Sequence, residues 1–347
     1  MTWLDLAPAE AERAIGGWVR EQRLPAYRVG QILPCLWQRP VADWSLVTDL
    51  PRPLRAALAA EAPLPRPERT AQQRSRDGTV KFLWQFPDGA RVESVLIFER
   101  RRRTLCVSSQ AGCAFACAFC ATGRMGFGRH LAPWEIVAQV RELFLGPAPE
   151  RPTNIVFMGM GEPLHNWDAV STALSILNGA RGVGIAARQI TVSTVGLLPG
   201  LRALAARSEQ FGVAWSLHSP FSERRRAMMP VERKYPISVV ADALRAFRRR
   251  VTFEYVLIEG WNDRPEDARE LARLARDLRA HVNLLPLHPG GAPGLTPTGP
   301  GRIAGFAAEV RAAGANVTVR HSRGLDIAAA CGQLRIDADS PTAAAHR

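Results

Sequence analysis

The sequence predicts an α/β protein, a parallel sheet of alternating strands and helices behind a small helical N-terminal region. Three observations carry that expectation. Beyond about residue 100, short apolar runs alternate with stretches rich in Ala, Leu, Arg and Glu, the pattern of parallel βα units. Before residue 70, apolar residues recur at helical spacing. The 347 residues suit two domains or one large one, and 47% hydrophobic content fills a substantial core.

The helical accessory domain is placed at residues 1–75. Ile15, Trp18 and Val19 share one face. Val29, Ile32, Leu33, Leu36 and Trp37 follow the spacing of an amphipathic helix. Pro34 interrupts that run, so a kink or early stop is expected there. Cys35 falls in the same stretch and reads as helix core. Residues 51–70, with repeated prolines and alanines, read as a last helix and a linker. Residues 76–98 form a hairpin connector: two strand-like runs flank Pro87-Asp-Gly, and the second carries Glu93. The core spans 99–337. It opens with a strand ending at Cys106, then a helix over Ile136, Val137, Val140, Leu143 and Phe144. Strands beginning at Asn154, Gln189, Val213, Val251 and Val282 follow, giving six parallel strands separated by helical stretches, 265–280 the clearest. Residues 338–347, polar and Ala-rich, read as a disordered tail.

The densest chemistry lies between Leu105 and Gly123. Cys113, Cys117 and Cys120 have the spacing C-x3-C-x2-C among small residues, and Cys106 lies seven residues before the first. Thiolates this close can converge on a soft metal centre. Zinc usually takes four protein ligands in a closed site, and only three cysteines cluster here. Three thiolates on a four-iron cluster would leave one iron open for chemistry. Phe115 and Phe119 offer an apolar shell that limits solvent access. The bland alternative is a small structural site or buried free thiols.

The spacing, with an aromatic just before the last cysteine, resembles the radical S-adenosylmethionine (SAM) enzymes. The longer string LCVSSQ-x-GC-x3-C-x2-C-x-TG resembles the RlmN/Cfr family, which methylates an adenosine of large-subunit ribosomal RNA. That resemblance implies a partial (β/α)6 radical-SAM barrel, a 4Fe-4S cluster on Cys113, Cys117 and Cys120, and SAM chelated at the open iron. Further motifs fall in the family's order, each after a strand, where barrels carry their chemistry. Gly159-Met-Gly-Glu-Pro163 looks like the SAM-binding loop. Its glycines, Gly161 among them, let the backbone approach a ligand, and the Glu162 carboxylate suits an ammonium. Ser193 and the segment Ser216, Leu217, His218 match SAM contacts, although a strand-end hydroxyl alone more often caps a helix. His288 and Glu232 stand where the family usually carries Asn. An imidazole lacks the two-sided bonding of an amide, so His288 is a changed SAM contact, and a paralogue of the housekeeping enzyme is one reading of both departures.

The resemblance also implies a mechanism that consumes two SAM molecules. One methylates Cys331, in Arg323-Gly-Leu-Asp-Ile-Ala-Ala-Ala-Cys-Gly-Gln-Leu, by displacement. The other is cleaved by an electron from the cluster, and the resulting radical takes a hydrogen from the new methyl. The methylene on Cys331 adds to an adenine carbon, carbon 2 favoured and carbon 8 open. Glu93 matches the proton acceptor, and Cys106 matches the cysteine that releases product through a transient disulfide. An electron donor such as flavodoxin or ferredoxin and a thiol reductant are implied partners.

Charge points the same way. Lys+Arg total 45 against 32 Asp+Glu, a net +13 that favours a polyanionic partner, RNA or DNA; the resemblance implies 23S rRNA, with tRNA left open. Arginine runs at 100–103, 224–226 and 248–250 are usually solvated faces, and the first is favoured for phosphate contact because it leads into the Cys106 strand. Six cysteines in so long a chain are not a disulfide framework, the N-terminus shows no secretory pattern, and no stretch is apolar enough for a membrane span. A cytoplasmic monomer is expected. Two competing readings are a radical SAM enzyme with a non-RNA substrate, opposed by the Cys106 and Cys331 motifs, and a cluster-bearing RNA-binding or sensor protein, opposed by the SAM loop.

Overall fold

The computed structural model describes residues 2–146, 150–288 and 292–334. Its N-terminal layer follows the apolar periodicity. Helix α1 (Pro8–Glu21) buries Ala11, Ile15, Trp18 and Val19. Helices α2 (Arg28–Ile32) and α3 (Pro34–Trp37) are one amphipathic run interrupted at Leu33, as Pro34 requires. Cys35 is buried in the second of them, and its thiol donates to Gln31 O at 3.2 Å. Helix α4 (Arg52–Glu61) adds Leu54 and Leu58. Arg141, buried in helix α6 (Pro133–Leu145), ties this layer to the core. Its guanidinium donates to Leu36 O and Val41 O.

Next come β1 (Glu68–Arg74), β2 (Val80–Gln85) and β3 (Arg91–Glu99), an antiparallel meander that continues into β4 (Arg102–Cys106). A small separate pair, β5 (Gln110–Gly112) and β6 (Phe127–His130), brackets the cysteine loop and helix α5 (Ala121–Arg124). From α6 onward the chain alternates: β7 (Asn154–Phe157), α7 (Trp167–Asn178), β8 (Ile190–Thr194), α8 (Leu198–Ala205) and β9 (Gly212–Ser216). Helices α9 (Ser222–Met228) and α10 (Ile237–Leu244) lead to β10 (Thr252–Leu257), α11 (Pro265–Asp277), β11 (His281–Pro286), α12 (Pro300–Ala312) and β12 (Asn316–Val319). The ten-stranded sheet runs β1-β2-β3-β4-β7-β8-β9-β10-β11-β12, and every pair from β4 onward is parallel. Side chains from β3, β4, β7, β8, β9, β10 and β11 line one interior space. The sheet is therefore curled into a partial barrel of six βα units plus a closing strand.

Two expectations need correction, and a third lies beyond what the structure describes. Residues 68–74, read as the end of the helical domain and its linker, form β1. Their sequence, Glu-Arg-Thr-Ala-Gln-Gln-Arg, has no apolar alternation because an edge strand held by ladder bonds need not bury a face. Among the described residues the parallel strands number seven; β12 is only four residues long and half-exposed, so it left no apolar run to read. The tail expected at 338–347 lies outside the described residues.

Glu232, which stands where the family usually carries Asn, is part of an internal brace. Arg225 of α9 is fully buried and donates to Leu217 O (3.0 Å), Val195 O (2.8 Å), Ser216 O (3.2 Å) and Glu232 Oε2 (2.5 Å). Glu232 Oε1 accepts from Ile237 N–H at 3.0 Å. The pair thus locks the ends of β8 and β9 to the start of α10. Removing one member of a buried ion pair strands the other charge, at about 3–5 kcal/mol. Glu232→Ala is expected to lower the unfolding free energy by that amount in urea titration. A loss under about 1 kcal/mol would mean that the brace contributes little.

Candidate active site

The cysteine loop is closed at its neck. Gly112 has φ +83°, and a Cβ there would stand 2.1 Å from Gly126 O, so only glycine lets β5 and β6 meet. Cys113 N–H then donates to Gly126 O at 2.8 Å, and Ala118 N–H to Met228 O at 2.9 Å pins the loop on α9. Cys113, Cys117 and Cys120 all line one cavity of ≈ 160 Å³, far above the roughly 10–15 Å³ that a single water needs. Burial raises the Cys113 thiol to about 12 and pushes Cys117 up as well. These are neutral thiols that a metal would deprotonate on binding. Among the described residues no three ligating side chains converge on a single metal ion. Zinc would need sulfurs within roughly 4 Å of one another. A 4Fe-4S cluster places each thiolate on a different iron, so three thiols spread around one cavity fit it. Phe119 is buried beside the ligands, its ring 4.5 Å from that of His218, and Phe115 stands 5.4 Å from His165.

The SAM-loop residues Gly161 and Glu162 line this same cavity. The glycine, however, serves the protein's own packing. Gly161 has φ +101°, and a Cβ there would meet the Gln110 side chain at 2.6 Å. Met160 O accepts from Ser109 N–H and Gln110 N–H, and Glu162 N–H donates to Gln110 Oε1 at 2.8 Å. The loop is thereby fastened to the Ser108-Ser-Gln110 segment that follows Cys106. Glu162 is oriented by Leu164 N–H (3.1 Å) and Val195 N–H (2.9 Å), while burial raises its carboxyl to about 7 against those bonds. An oriented carboxylate at a cavity wall suits a ligand ammonium.

Ser193 and Ser216 reach the cavity from the ends of β8 and β9. Leu217 does not: it is fully buried core, its N–H and C=O taken by Glu254 O and Arg225. His218 lines the cavity at φ +56°, and its Nδ1 accepts from Val256 N–H at 3.0 Å, which puts the ring proton on Nε2. Burial lowers its pKa to about 3, so the ring stays neutral. His288 also lines the cavity, with Nε2 hydrogen-bonded to Ser322 Oγ, so one side of its ring is already committed.

A second cavity, ≈ 180 Å³, fills the barrel interior and includes Cys106, Thr104, Thr252, Asn283 and Arg320. Among the described residues, Met158, Glu254 and Cys331 border both cavities. Cys331 therefore stands in the wall between the space of the cluster cysteines and the space of Cys106. Cys331 retains exposed surface, and desolvation by the groups packed around it raises its thiol pKa. Cys106 is buried, its thiol pushed up by burial and then by Cys331. All six cysteines are free thiols. Glu93 lies on the face of β3 that also presents Val95 and Ile97 to the second cavity. Lys81 Nζ stands 2.9 Å from its carboxylate, both side chains nearly buried.

Sequence reasoning missed Lys81, Gln110, Arg225, Glu254 and Ser322, whose partners are remote in the chain. The arginine runs also divide. Arg100, Arg101 and Arg102 are exposed at the β3–β4 turn, at the end of β4 away from the cysteine loop and beside Ile97, Glu99 and Thr104 of the second cavity. Arg103 pairs with Glu150 at 3.5 Å. In the second run Arg225 is buried and Arg224 is bound to Asp267 and Glu266, and in the third Arg249 donates to Gln210 O.

Comparison with known proteins agrees with this geometry. The profile of the Radical SAM superfamily matches residues 107–275. The chain is 55% identical to a probable dual-specificity RNA methyltransferase RlmN of Gemmatimonas aurantiaca, over 96% of this chain and 93% of that one. It is 44% identical to a dual-specificity RNA methyltransferase RlmN of Anaeromyxobacter dehalogenans, over 89% and 86%. A crystal structure of a radical SAM methyltransferase from Sphaerobacter thermophilus matches with a TM-score of 0.90 at 44% identity, over 96% of this chain and 99% of that one. With identity this high over nearly its whole length, the chain belongs to the RlmN family of radical SAM methyltransferases.

Proposed function

We propose that the protein methylates an adenine carbon of 23S rRNA, carbon 2 in preference to carbon 8, through a methyl group carried on Cys331. The observation that carries this reading is the position of Cys331, bordering both the cavity of the cluster cysteines and that of Cys106. The dual specificity in the relatives' names supports tRNA as a second substrate.

Cys113, Cys117 and Cys120 would hold the cluster, and Glu162, Ser193, Ser216, His218 and His288 would hold SAM. Bound there, cluster and SAM supply the electron, the methyl group and the hydrogen-abstracting radical. The chain's own residues do the rest. Cys331 takes one methyl group, loses a hydrogen from it and adds the carbon to the adenine, which is too electron-poor for direct displacement. Glu93, held by Lys81, takes the proton from the substituted carbon. The Cys106 thiolate attacks the Cys331 sulfur, and the S–C bond breaks with its electron pair on the freed carbon, which takes a proton to become the methyl group. The adduct's one unpaired electron leaves to a one-electron acceptor, and a Cys106–Cys331 disulfide forms for a thiol reductant to open. A low-potential donor such as flavodoxin or ferredoxin completes the cycle. No helix among the described residues can cross a membrane, and we place the protein in the cytoplasm as a monomer.

Anaerobic reconstitution with trideuteromethyl SAM and 23S rRNA tests the reading. Label on an adenine carbon, located by nucleoside mass spectrometry, is the expected result; SAM cleavage without RNA labelling would overturn it. Single Ala substitutions at Cys113, Cys117 or Cys120 are expected to abolish both the iron–sulfur absorbance and SAM cleavage. An intact chromophore in all three variants would remove the cluster assignment.

RNA binding is expected to weaken steeply with salt, as counterion release from a +13 chain requires. Replacing Arg100, Arg101 and Arg102 by Ala is expected to reduce the log–log salt slope by roughly 1 for each phosphate that is no longer neutralised. An unchanged slope would remove this turn from the RNA interface.

A further inference from the structure

Methylating Cys331 by displacement creates a proton problem. The attacking sulfur must shed its proton, and the surroundings of Cys331 raise its thiol pKa. Glu93 and Cys106 serve later steps, so the first step lacks a base. Glu254 of β10 is buried and, with Met158, is one of two other described residues that border both cavities that Cys331 divides. Its Oε1 accepts from Asn283 Nδ2 at 3.0 Å, which fixes the carboxylate. Its backbone C=O receives Leu217 N–H and His218 N–H, so the strand cannot shift without disturbing the SAM wall. Among the charged groups around the Cys331 thiol, Glu254 acts on it most strongly, with Arg320 opposing and Cys120 weaker.

We propose that Glu254 accepts the thiol proton of Cys331 as that cysteine is methylated. This rests on the reading of Cys331 as methyl acceptor. The S–H proton passes to a Glu254 carboxylate oxygen. The freed sulfur pair forms the S–CH3 bond, and the CH3–S bond of SAM breaks with its electrons staying on the departing sulfur. One carboxylate charge and one sulfonium charge disappear together. A reaction that annihilates opposite charges is favoured where the carboxylate is withdrawn from water, and Glu254 is buried. Glu254 later returns its proton to solvent. Burial also raises the Glu254 carboxyl, which strengthens it as a base.

The test uses full-length protein expressed under iron starvation, so that Cys331 starts unmethylated, and then reconstituted anaerobically. It is incubated with trideuteromethyl SAM, and the Cys331 peptide is followed by mass spectrometry. Wild type is expected to take the label. Glu254→Gln keeps the Asn283 bond and is expected to label at least about 100-fold more slowly. Its iron–sulfur absorbance and SAM binding are expected to persist, and Glu254→Asp is expected to recover part of the rate. Labelling of Glu254→Gln at the wild-type rate would overturn the proposal and leave the Cys331 reading intact. Loss of absorbance or SAM binding in both variants would overturn it too, by making Glu254 a structural residue. Failure of wild-type Cys331 to take label would remove the methyl-acceptor reading itself.

Discussion

Cys331 borders two cavities, and the loop that carries it is held from both sides. Toward the cysteine loop, Ala121 N–H donates to Gly332 O at 2.8 Å and Thr122 Oγ1 to Leu334 O at 2.7 Å. Toward the β1–β2 turn, Gly324 N–H donates to Asp77 Oδ2 at 2.9 Å, and Asp326 accepts from Ser75 Oγ (2.5 Å) and Arg76 N–H (3.1 Å). These bonds cross between the cluster motif and the antiparallel meander. The accessory strands are therefore part of what positions the Cys331 thiol, beyond extending the sheet.

The rest of the site depends on keeping the strand ends in register around that thiol. Arg225 gathers three carbonyls at the ends of β8 and β9, and Glu232 neutralises it. Gln110 and Ser108 bolt the SAM loop to the segment after Cys106, with Ser108 Oγ also donating to Glu93 O at 2.6 Å. The buried polar groups at these joints are paired, as a low-dielectric interior demands. Charge at the surface has a different task. The exposed Arg100, Arg101 and Arg102 lie at the β3–β4 turn, next in the chain to Glu99 and Thr104 of the second cavity, where the proposed RNA contact is made.

Much of this was legible in the sequence because the chemistry comes in contiguous strings. The cysteine loop, the Gly159–Pro163 segment and the Cys331 segment each carry their residues within a dozen positions, and the structure brings all three to the wall of one cavity. Periodicity likewise exposed α1, the Pro34 break and most parallel strands. Polar edge strand β1 and four-residue β12 were hidden because neither buries an apolar face. The roles of Glu254, Lys81 and Arg225 were hidden because each depends on a partner from another strand or loop. Glycine at position 161 was legible as a necessity, but the neighbour it admits is Gln110 as much as any ligand.

The central claim is that Cys331 carries the methyl group from one cavity to a base in the other and that Cys106 releases it. Cys106→Ala isolates that claim. The variant retains the cluster cysteines and Cys331, so it can load the methyl group and attack the adenine, but it has no second thiol to break the S–C bond. Purified from cells, it should carry RNA covalently attached, and nuclease digestion followed by peptide mass spectrometry should show an adenosine-bearing Cys331 peptide. An unmodified Cys331 in that variant, under reducing and SAM-replete conditions, would contradict the account.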